Sequence, residues 1–366
     1  MAHHRANIPK NPHMQTPARA ARLEAPAPLA FPFPEPPAGG TVREIAPGVF
    51  WLRMPLPFAL DHINLWLLRD GKGWTAVDCG ISADATRIHW EQIFRDVVGN
   101  AGLTRVLVTH FHPDHFGNAG WLTQRFDAPL WMSESEYLNA HAQYQTQAGF
   151  GAEATARLFA EHGLDPEGVA AIRGRGNSYR KIVSEPPTRF VRIMDGDEID
   201  IGGNAWRVIV GWGHAPEHAA LYCKSLGVLI SGDMLLPKIS TNVSVWPTEP
   251  RGDPLKLFLR SIDRFAELPA DTLVLPSHGL PFRGAHTRVQ MLHAHHRDRL
   301  AEVLESCATP KAARDLLPVL FRRALDTHQT FFAMGESIAH LHYLWYQGRL
   351  THSLDADGIH RFVRPG

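Results

Sequence analysis

Short apolar runs separated by polar stretches dominate the chain from about residue 42 onward. Six of these runs predict strands, at residues 42–45, 49–54, 64–68, 74–77, 106–108 and 129–132. Apolar residues at helical spacing predict helices between them, at 87–98 and 116–126. Strands interleaved with helices in this way favour a four-layer α/β sandwich over a single doubly wound sheet.

Several apolar runs lead into side chains that are able to bind a metal ion. The run 106–108 enters a polar loop that contains His110, His112, Asp114 and His115. Other runs lead, in chain order, to Asp78, His214, Asp233 and His278. Because α/β proteins place their chemistry at the carboxyl ends of strands, these side chains are expected to converge there.

The spacing within the polar loop predicts two cation sites. His110 and His112 are two residues apart, so in an extended chain they point the same way and can bind one cation. Asp114 and His115 follow the bend at Pro113 and face a second one. The chain contains 22 His, so some clustering is expected without any function. Here, however, the later partners also each end an apolar run, which favours a metal site.

The order His110-x-His112-x-Asp114-His115, His214, Asp233, His278 resembles the metallo-β-lactamase-fold hydrolase superfamily. The resemblance covers roughly residues 43–283, and the branch it most resembles includes glyoxalase II and β-lactamase-like protein 2. It implies an α/β fold, the four-layer αββα sandwich. It also implies two divalent metal ions, usually Zn²⁺, with Mn²⁺ or Fe as alternatives.

The resemblance also implies a role for each ligand. The first metal would be held by His110, His112 and His214, and the second by Asp114, His115 and His278. Asp233 would bridge the two metals, and Asp78 would orient the polar loop without being a ligand. Asp114 would also act in catalysis as a proton acceptor. His218 is interpreted as a support for the ligands, and Cys79 as a small buried residue at a strand end.

Composition divides the chain into three parts. Residues 1–40 are rich in Pro and Ala and predict an extended, disordered arm, and residues 41–285 would form the catalytic domain. A helical insertion at 134–183 is expected over the site, with substrate-contacting candidates Tyr137, Tyr144, Phe150, Arg173, Arg175, Tyr179 and Arg180. Residues 286–366 are expected to form three helices and a hairpin, with one helix starting at Thr309-Pro310. This part resembles the winged-helix-like domain of β-lactamase-like protein 2.

The charge and the cysteine content limit the possible binding partners and the cellular compartment of the protein. The 37 acidic and 37 basic residues cancel, and residues 331–347 contain no Lys or Arg, so nucleic acid is disfavoured as a partner. The C-terminal part is therefore interpreted as a structural cap or a dimerising one, which leaves a homodimer open. Three widely spaced cysteines, no signal sequence and no long apolar stretch predict a cytoplasmic protein that does not enter the membrane.

The favoured function is metal-dependent hydrolysis of a thioester or small acyl ester, of the acyl-CoA or acyl-glutathione type. Two cations would lower the pKa of a water from about 15.7 toward ~7, so no side-chain nucleophile is needed. Two enzyme alternatives remain: hydrolysis of a lactone or β-lactam, and an endoribonuclease in which the C-terminal part holds RNA. A metal-stabilised scaffold without activity would require missing ligands, and none is missing.

Overall fold

Two mixed β-sheets form the centre of the molecule, which the computed structural model describes over residues 28–147 and 149–366. The first sheet contains β1 (Arg43–Ala46), β2 (Val49–Pro55), β3 (His62–Asp70), β4 (Gly73–Val77), β5 (Leu103–Leu107), β6 (Leu130–Met132) and β7 (Val191–Arg192), in that order. The second contains β8 (Glu198–Ile201), β9 (Asn204–Gly211), β10 (His218–Cys223), β11 (Val228–Gly232), β12 (Leu273–Pro276) and β13 (Phe282–Arg283).

Strand direction changes once in the first sheet. Strands β1 to β4 pair antiparallel, whereas β4 to β7 run parallel to one another. In the second sheet β11 and β12 are parallel and the remaining pairs are antiparallel. Strands β4, β5, β11 and β12 therefore have neighbours whose carboxyl ends point the same way, which brings the loops after them together.

Helices cover the outer faces of both sheets. They are α1 (Asp84–Ile93), α2 (Pro113–Phe116), α3 (Ala119–Phe126), α4 (Glu134–Gln145), α5 (Ala152–Glu161), α6 (Pro166–Gly174), α7 (Pro254–Ala266), α8 (Ala285–Ser306), α9 (Leu317–Leu320) and α10 (Thr327–Tyr346). A π-helical turn, Phe94–Val98, extends α1. None of the helices in the described part of the chain is long and apolar enough to cross a membrane.

Three apolar cores define the layers. Trp66 and Trp206 lie between the two sheets. Trp90 of α1 packs on the outer face of the first sheet, and Phe258 of α7 on the outer face of the second. Both faces of the central strands are covered, which explains why they read as nearly continuous apolar runs in the sequence. The αββα order expected from the sequence is confirmed.

The C-terminal segment shares its core with the second sheet. Helices α8 and α10 contribute Leu292 and Leu341 to the core that also contains Phe258. The chain ends in a hairpin of β14 (Thr351–Leu354) and β15 (His360–Val363). The winged-helix assignment of this segment stays a prediction.

One predicted helix start in this segment is wrong. Thr309-Pro310 resembles the beginning of a helix, but the next residue, Lys311, forms two backbone hydrogen bonds with Phe362 of β15, at 2.9 and 2.8 Å. Because those bonds require extended backbone, helical structure begins only with a 3₁₀ turn at Ala313–Leu316. Pairing with a distant strand overrides the local signal here.

The described end of the N-terminal arm lies on the domain, in contrast to the expected disorder. Ala30 exchanges backbone hydrogen bonds with Arg283, and the ring of Phe31 lies 6.5 Å from that of Phe282. Residues 1–27, which make up most of the predicted arm, lie outside the described residues. The insertion at 134–183 divides between two layers, because α4 joins the first outer core, whereas α5 and α6 join the second.

Candidate metal centre

The structure brings all seven predicted ligands to one edge of the sandwich. The polar loop follows β5, and His214 follows β9 by three residues. Asp233 follows β11 directly, and His278 lies two residues after β12. Each position lies where a buried strand ends, so the sheets fix the relative positions of side chains that are far apart in the sequence.

Four ligand atoms form the first group. The Nε2 atom of His110 lies 2.9 Å from Nδ1 of His112 and 3.2 Å from Nε2 of His214. The Oδ2 atom of Asp233 lies 3.4 Å from Nε2 of His214. All four atoms lie within 4.8 Å of one another, so one ion could contact them all.

The second group shares the carboxylate of Asp233 with the first. The Oδ2 atom of Asp114 lies 3.6 Å from Nε2 of His115 and 3.4 Å from Nε2 of His278. The other oxygen of Asp233, Oδ1, lies 3.6 Å and 3.4 Å from the same two nitrogens. The two oxygens of Asp233 thus face different groups, which is the arrangement of a bridging ligand.

Hydrogen bonds on the outer side of the rings select the nitrogen that faces the centre. His214 Nδ1 donates to the carbonyl of Asn242 at 2.7 Å, and His278 Nδ1 donates to the carbonyl of His62 at 2.9 Å. A carbonyl only accepts, so the hydrogen of each ring is on Nδ1 and the lone pair is on Nε2. Metal-binding histidines are typically oriented by such partners.

Asp78 orients the polar loop, although it belongs to neither ligand group. Its carboxylate accepts a hydrogen bond from Nδ1 of His115 at 2.8 Å and from the backbone N–H of Thr109 at 2.8 Å. The backbone of Asp78 has a φ of 62°, in the left-handed region that Asp tolerates better than most residues. The supporting role that the resemblance implies for Asp78 stays a prediction.

The electrostatics of the centre favour neutral imidazoles at His110 and His112, whereas nearby carboxylates outweigh burial and raise the pKa of His115 and His278. Burial and the neighbouring imidazoles lower the pKa of His110 well below its usual range and that of His112 to about 3. Burial opposes ionisation of Asp233, but His278 and His115 hold its pKa well below the ordinary value. Neutral nitrogen and charged oxygen donors are the forms that bind a metal ion.

The residues at the centre fit divalent metal ions. The Nε2 atom of His115 and the Oδ1 atom of Asp233 are buried, with no hydrogen-bond partner among the described residues. Unpartnered buried polar atoms are costly unless an ion or water occupies the space between them. Tetrahedral zinc with bonds of ~2.0–2.1 Å places its ligand atoms roughly 3.3 Å apart, close to the spacing found here. The identity of the metal stays a prediction.

His218 and Cys79 contact the surroundings of the centre and not its interior. The Nε2 atom of His218 accepts the backbone N–H of Asp233 at 3.1 Å, so that lone pair is already used. A side chain at Gly232, where φ is 53°, would place its Cβ atom 2.3 Å from the same nitrogen, which explains the glycine there. Cys79 is buried in the first outer core.

Sequence reasoning missed Glu136, which ties the two histidine loops together. Its buried carboxylate accepts the N–H of Phe111, between His110 and His112, at 2.9 Å, and the N–H of Glu217 at 2.6 Å. Ser133 and Glu136 have the spacing of a helix capping box, which would have predicted a local role. Instead the Ser133 hydroxyl donates to the carbonyl of Glu217, and Glu136 turns toward the loops.

A pocket of about 310 Å³ opens beside the centre, along His214 and the residues next to it. Its aromatic lining comes from five parts of the chain and consists of Phe111, Phe150, Tyr179, Trp212, Trp246 and Phe331. Phe331 belongs to α10, so the C-terminal segment completes the pocket. Its volume lies at the lower end of the range for small-molecule sites.

Three of the seven candidates in the insertion line this pocket: Phe150, Arg175 and Tyr179. The remaining four do not. Tyr137 stacks on Phe190, and Arg173 pairs with Glu153 at 2.8 Å. Arg180 lies 5.0 Å above the ring of Tyr144. The composition of the insertion indicated the kinds of side chain present, but their direction depends on how its helices divide between the two layers.

A two-sheet sandwich with His and Asp ligands at its strand ends defines a class of metal-dependent hydrolases, and comparisons place the chain within it. A family model described as the metallo-beta-lactamase superfamily matches residues 59–278. A second, the metallo-beta-lactamase-like C-terminal domain, matches residues 300–365. The chain belongs to the metallo-β-lactamase superfamily, and the predicted hydrolase class is confirmed.

Three relatives extend over most of the chain. A beta-lactamase domain protein from Burkholderia ambifaria is 49% identical with a TM-score of 0.86, covering 92% of this chain and 98% of that one. A metallo-beta-lactamase family protein from Thermus thermophilus is 34% identical with a TM-score of 0.75, covering 87% and 99%. The probable metallo-hydrolase YqjP of Bacillus subtilis (strain 168) is 26% identical over 308 residues, 83% of this chain and 94% of that protein. The glyoxalase II branch stays a prediction.

Proposed function

We propose that the protein hydrolyses a thioester or a small acyl ester, with the acyl group held in the aromatic pocket. The supporting observation is the position of this pocket, which is lined both by His214 and by aromatic side chains such as Trp212 and Trp246. An acyl chain bound there would place its carbonyl carbon near the ligand atoms. Apolar walls bind the acyl chain by burying it, and the polar centre is left for the reacting group.

The residues of the centre would hold two divalent cations, for which we propose Zn²⁺, with Mn²⁺ or Fe as alternatives. When bound, such cations supply Lewis acidity that makes water a nucleophile near neutral pH. The chain itself keeps the rings of His214 and His278 in place through the carbonyls of Asn242 and His62. Fixed rings keep the two ligand groups at their short spacing through the reaction.

Asp114 is the residue that we assign to proton transfer. Burial opposes ionisation of its carboxyl group, but His115 and His278 lower its pKa to about 2. Its side chain is 18% exposed, against 0% for His115, so its carboxylate can reach solvent. An ionised carboxylate in this position accepts a proton from the attacking water at Oδ1, because Oδ2 faces His115 and His278, and passes it to the thiolate or alkoxide as that group leaves.

A small molecule is the partner that these features favour. An RNA substrate has less support, because α10 has no Lys or Arg between Phe331 and its end, and the pocket is small and aromatic. Lactones and β-lactams would use the same centre and also fit the pocket. Uncharged cyclic substrates therefore belong in the same test.

The test compares metal-loaded protein with its His112→Ala variant on a panel of thioesters, small esters and lactones. His112 supplies one ligand atom of the first group, so the variant should lose turnover while it keeps its fold. Circular dichroism and thermal melting check that fold. If no thioester or ester is hydrolysed faster by the intact protein than by the variant, the proposal is wrong, and activity on lactones alone would select the alternative.

A further inference from the structure

Arg175 is a cation in a pocket whose lining includes six aromatic side chains. Among the described residues that line the pocket, it is the one Lys or Arg. Its guanidinium lies 4.6 Å from the centroid of the Phe331 ring, against which its flat face can rest. The side chain is held between the insertion and the C-terminal helix α10, so its position does not depend on a single flexible loop.

No carboxylate among the described residues lies within ion-pair distance of Arg175. Arg173, two residues earlier on the surface, is paired with Glu153 at 2.8 Å. For Arg175 the nearest polar partner is the ring of His328, whose Nδ1 atom lies 3.4 Å from Nη1. An imidazole does not neutralise a guanidinium, so no ion pair neutralises the charge of Arg175.

The surroundings of Arg175 make a charge without an ion-pair partner costly. The side chain is partly buried against aromatic rings, and burial lowers its pKa, although Asp326 acts in the opposite direction. The pocket has one acidic lining residue, Glu249, which is exposed at the rim and forms no ion pair with Arg175. A half-desolvated guanidinium in this position gains more from an anion than a fully hydrated one would.

We infer that Arg175 binds a carboxylate of the substrate, so that the preferred thioester or ester carries a carboxylate on the part that enters the aromatic pocket. The planar guanidinium offers two parallel N–H donors that match a carboxylate. The apolar stretch between carboxylate and reacting carbonyl would lie along the aromatic lining. This inference rests on the proposed function for the reaction, although the binding site itself does not.

Three synthetic thioesters locate the carboxylate. The butyryl thioester of N-acetylcysteamine is neutral, the succinyl thioester of the same thiol carries the charge on the acyl part, and the butyryl thioester of thioglycolate carries it on the thiol. For the intact protein, kcat/KM should be higher for one of the two thioesters that carry a carboxylate than for the neutral thioester. We expect this to be the succinyl thioester, because the pocket holds the acyl group.

Variants of Arg175 test whether the preference comes from this side chain. Arg175→Met keeps an unbranched stem and removes the charge, and Arg175→Lys keeps the charge but loses the paired donors. The ratio of kcat/KM for charged over neutral thioester should fall roughly 10–100-fold in Arg175→Met, as expected for a charged hydrogen-bonded pair. Arg175→Lys should give an intermediate ratio. Arg173→Met, outside the pocket, is the matched control and should keep the ratio of the intact protein.

A binding measurement separates the subsite from the reaction. The probes are a thioether in which CH₂ replaces the thioester carbonyl and which ends in a carboxylate, and its primary amide. By titration calorimetry the carboxylate probe should bind the intact protein, and bind Arg175→Met roughly 10–100-fold more weakly. Binding that depends on Arg175 without any thioester hydrolysis would overturn the proposed function alone. Equal binding to both proteins, or none to the intact one, would overturn this inference.

Discussion

Two of the histidine clusters in the described part of the chain differ in their chemistry. The first is the metal centre. The second, here the C-terminal histidine cluster, consists of His162, His342, His352 and His360. The rings of His162 and His360 stack with centroids 4.5 Å apart, and Nε2 of His352 lies 2.8 Å from Nδ1 of His360. Both clusters therefore place imidazoles in direct contact.

Carboxylates make the difference between the two clusters. At the metal centre Asp114 and Asp233 face the ring nitrogens at 3.4–3.6 Å. In the C-terminal histidine cluster the charged neighbours of the rings are other imidazoles and Arg251. Within residues 28–147 and 149–366, the second cluster has no group of three ligand atoms close enough to share an ion. The number of histidines does not make a metal site; convergent lone pairs and negative charge do.

The largest expected effect comes from removing the charge that the two ligand groups share. In Asp233→Asn the side chain keeps its size but no longer attracts two cations. Even partners outside the ligand set cost 10–100-fold when removed, so turnover should fall more than about 100-fold. Metal analysis should show a drop from two equivalents to one or none. His342→Gln, in the C-terminal histidine cluster, should keep both equivalents, and metal loss there would contradict the comparison.

A smaller effect, a loss of metal affinity, is expected when the hydrogen bond that supports His115 is weakened. Asp78→Asn keeps the residue type that tolerates positive φ but removes the charge opposite Nδ1 of His115. Metal affinity should fall about 10–100-fold. The matched control is Asp127→Asn, since Asp127 also has positive φ, 48°, but is exposed and distant from the centre. Competition with a chelator of known affinity measures both, and equal affinities would exclude a supporting role for Asp78.

The ligands could be predicted from the sequence because each follows an apolar run that ends at a buried strand. Strand ends are marked in the sequence, and sheets of this kind bring them together. By contrast, Asn242 and His62 contribute backbone carbonyls to the centre. Every residue has a carbonyl, so no side-chain pattern marks those two positions.

The helix starts show where local signals succeed and fail. Asp165-Pro166 and Asp253-Pro254 begin α6 and α7, and both Asp side chains accept backbone N–H groups three residues on. Neither helix was predicted, although both carry the start signal. Thr309-Pro310 carries it too, but Lys311 pairs with Phe362 instead. The signal describes only a local preference, and the partner strand lies about fifty residues away.

Replacing Glu136 should have an effect of intermediate size, because this residue anchors the loops of the metal centre without being a ligand. In Glu136→Gln one carboxylate oxygen becomes an amide NH₂, which faces the N–H of Phe111 or Glu217 and leaves it unsatisfied. The free energy of unfolding should fall by about 2 kcal/mol. Urea denaturation measures it, with exposed Glu161→Gln as the control. No loss relative to that control would show that Glu136 does not hold the two loops.

The smallest expected effect is a loss of stability at low pH, and it arises in the C-terminal histidine cluster. Burial, partly opposed by a hydrogen bond to the carbonyl of Gly252, lowers the pKa of His342 to about 4. Below pH 6.5 the unfolded chain takes up a proton that the folded protein cannot, so stability present above pH 6.5 is lost as the pH falls toward 4. At pH 5.5 this amounts to about 1.4 kcal/mol.

His342→Gln removes that proton uptake while it keeps a donor for the Gly252 carbonyl. Between pH 7.5 and pH 5.5 the variant should lose about 1.4 kcal/mol less stability than the intact protein, as measured by urea denaturation at the two values. Titration at the metal centre is common to both proteins and cancels in the difference. Exposed His286→Gln controls for the loss of a histidine as such. Equal losses in all three proteins would mean that the C-terminal histidine cluster takes up protons without unfolding. The contrast between this cluster and the metal centre would then rest on the carboxylates alone.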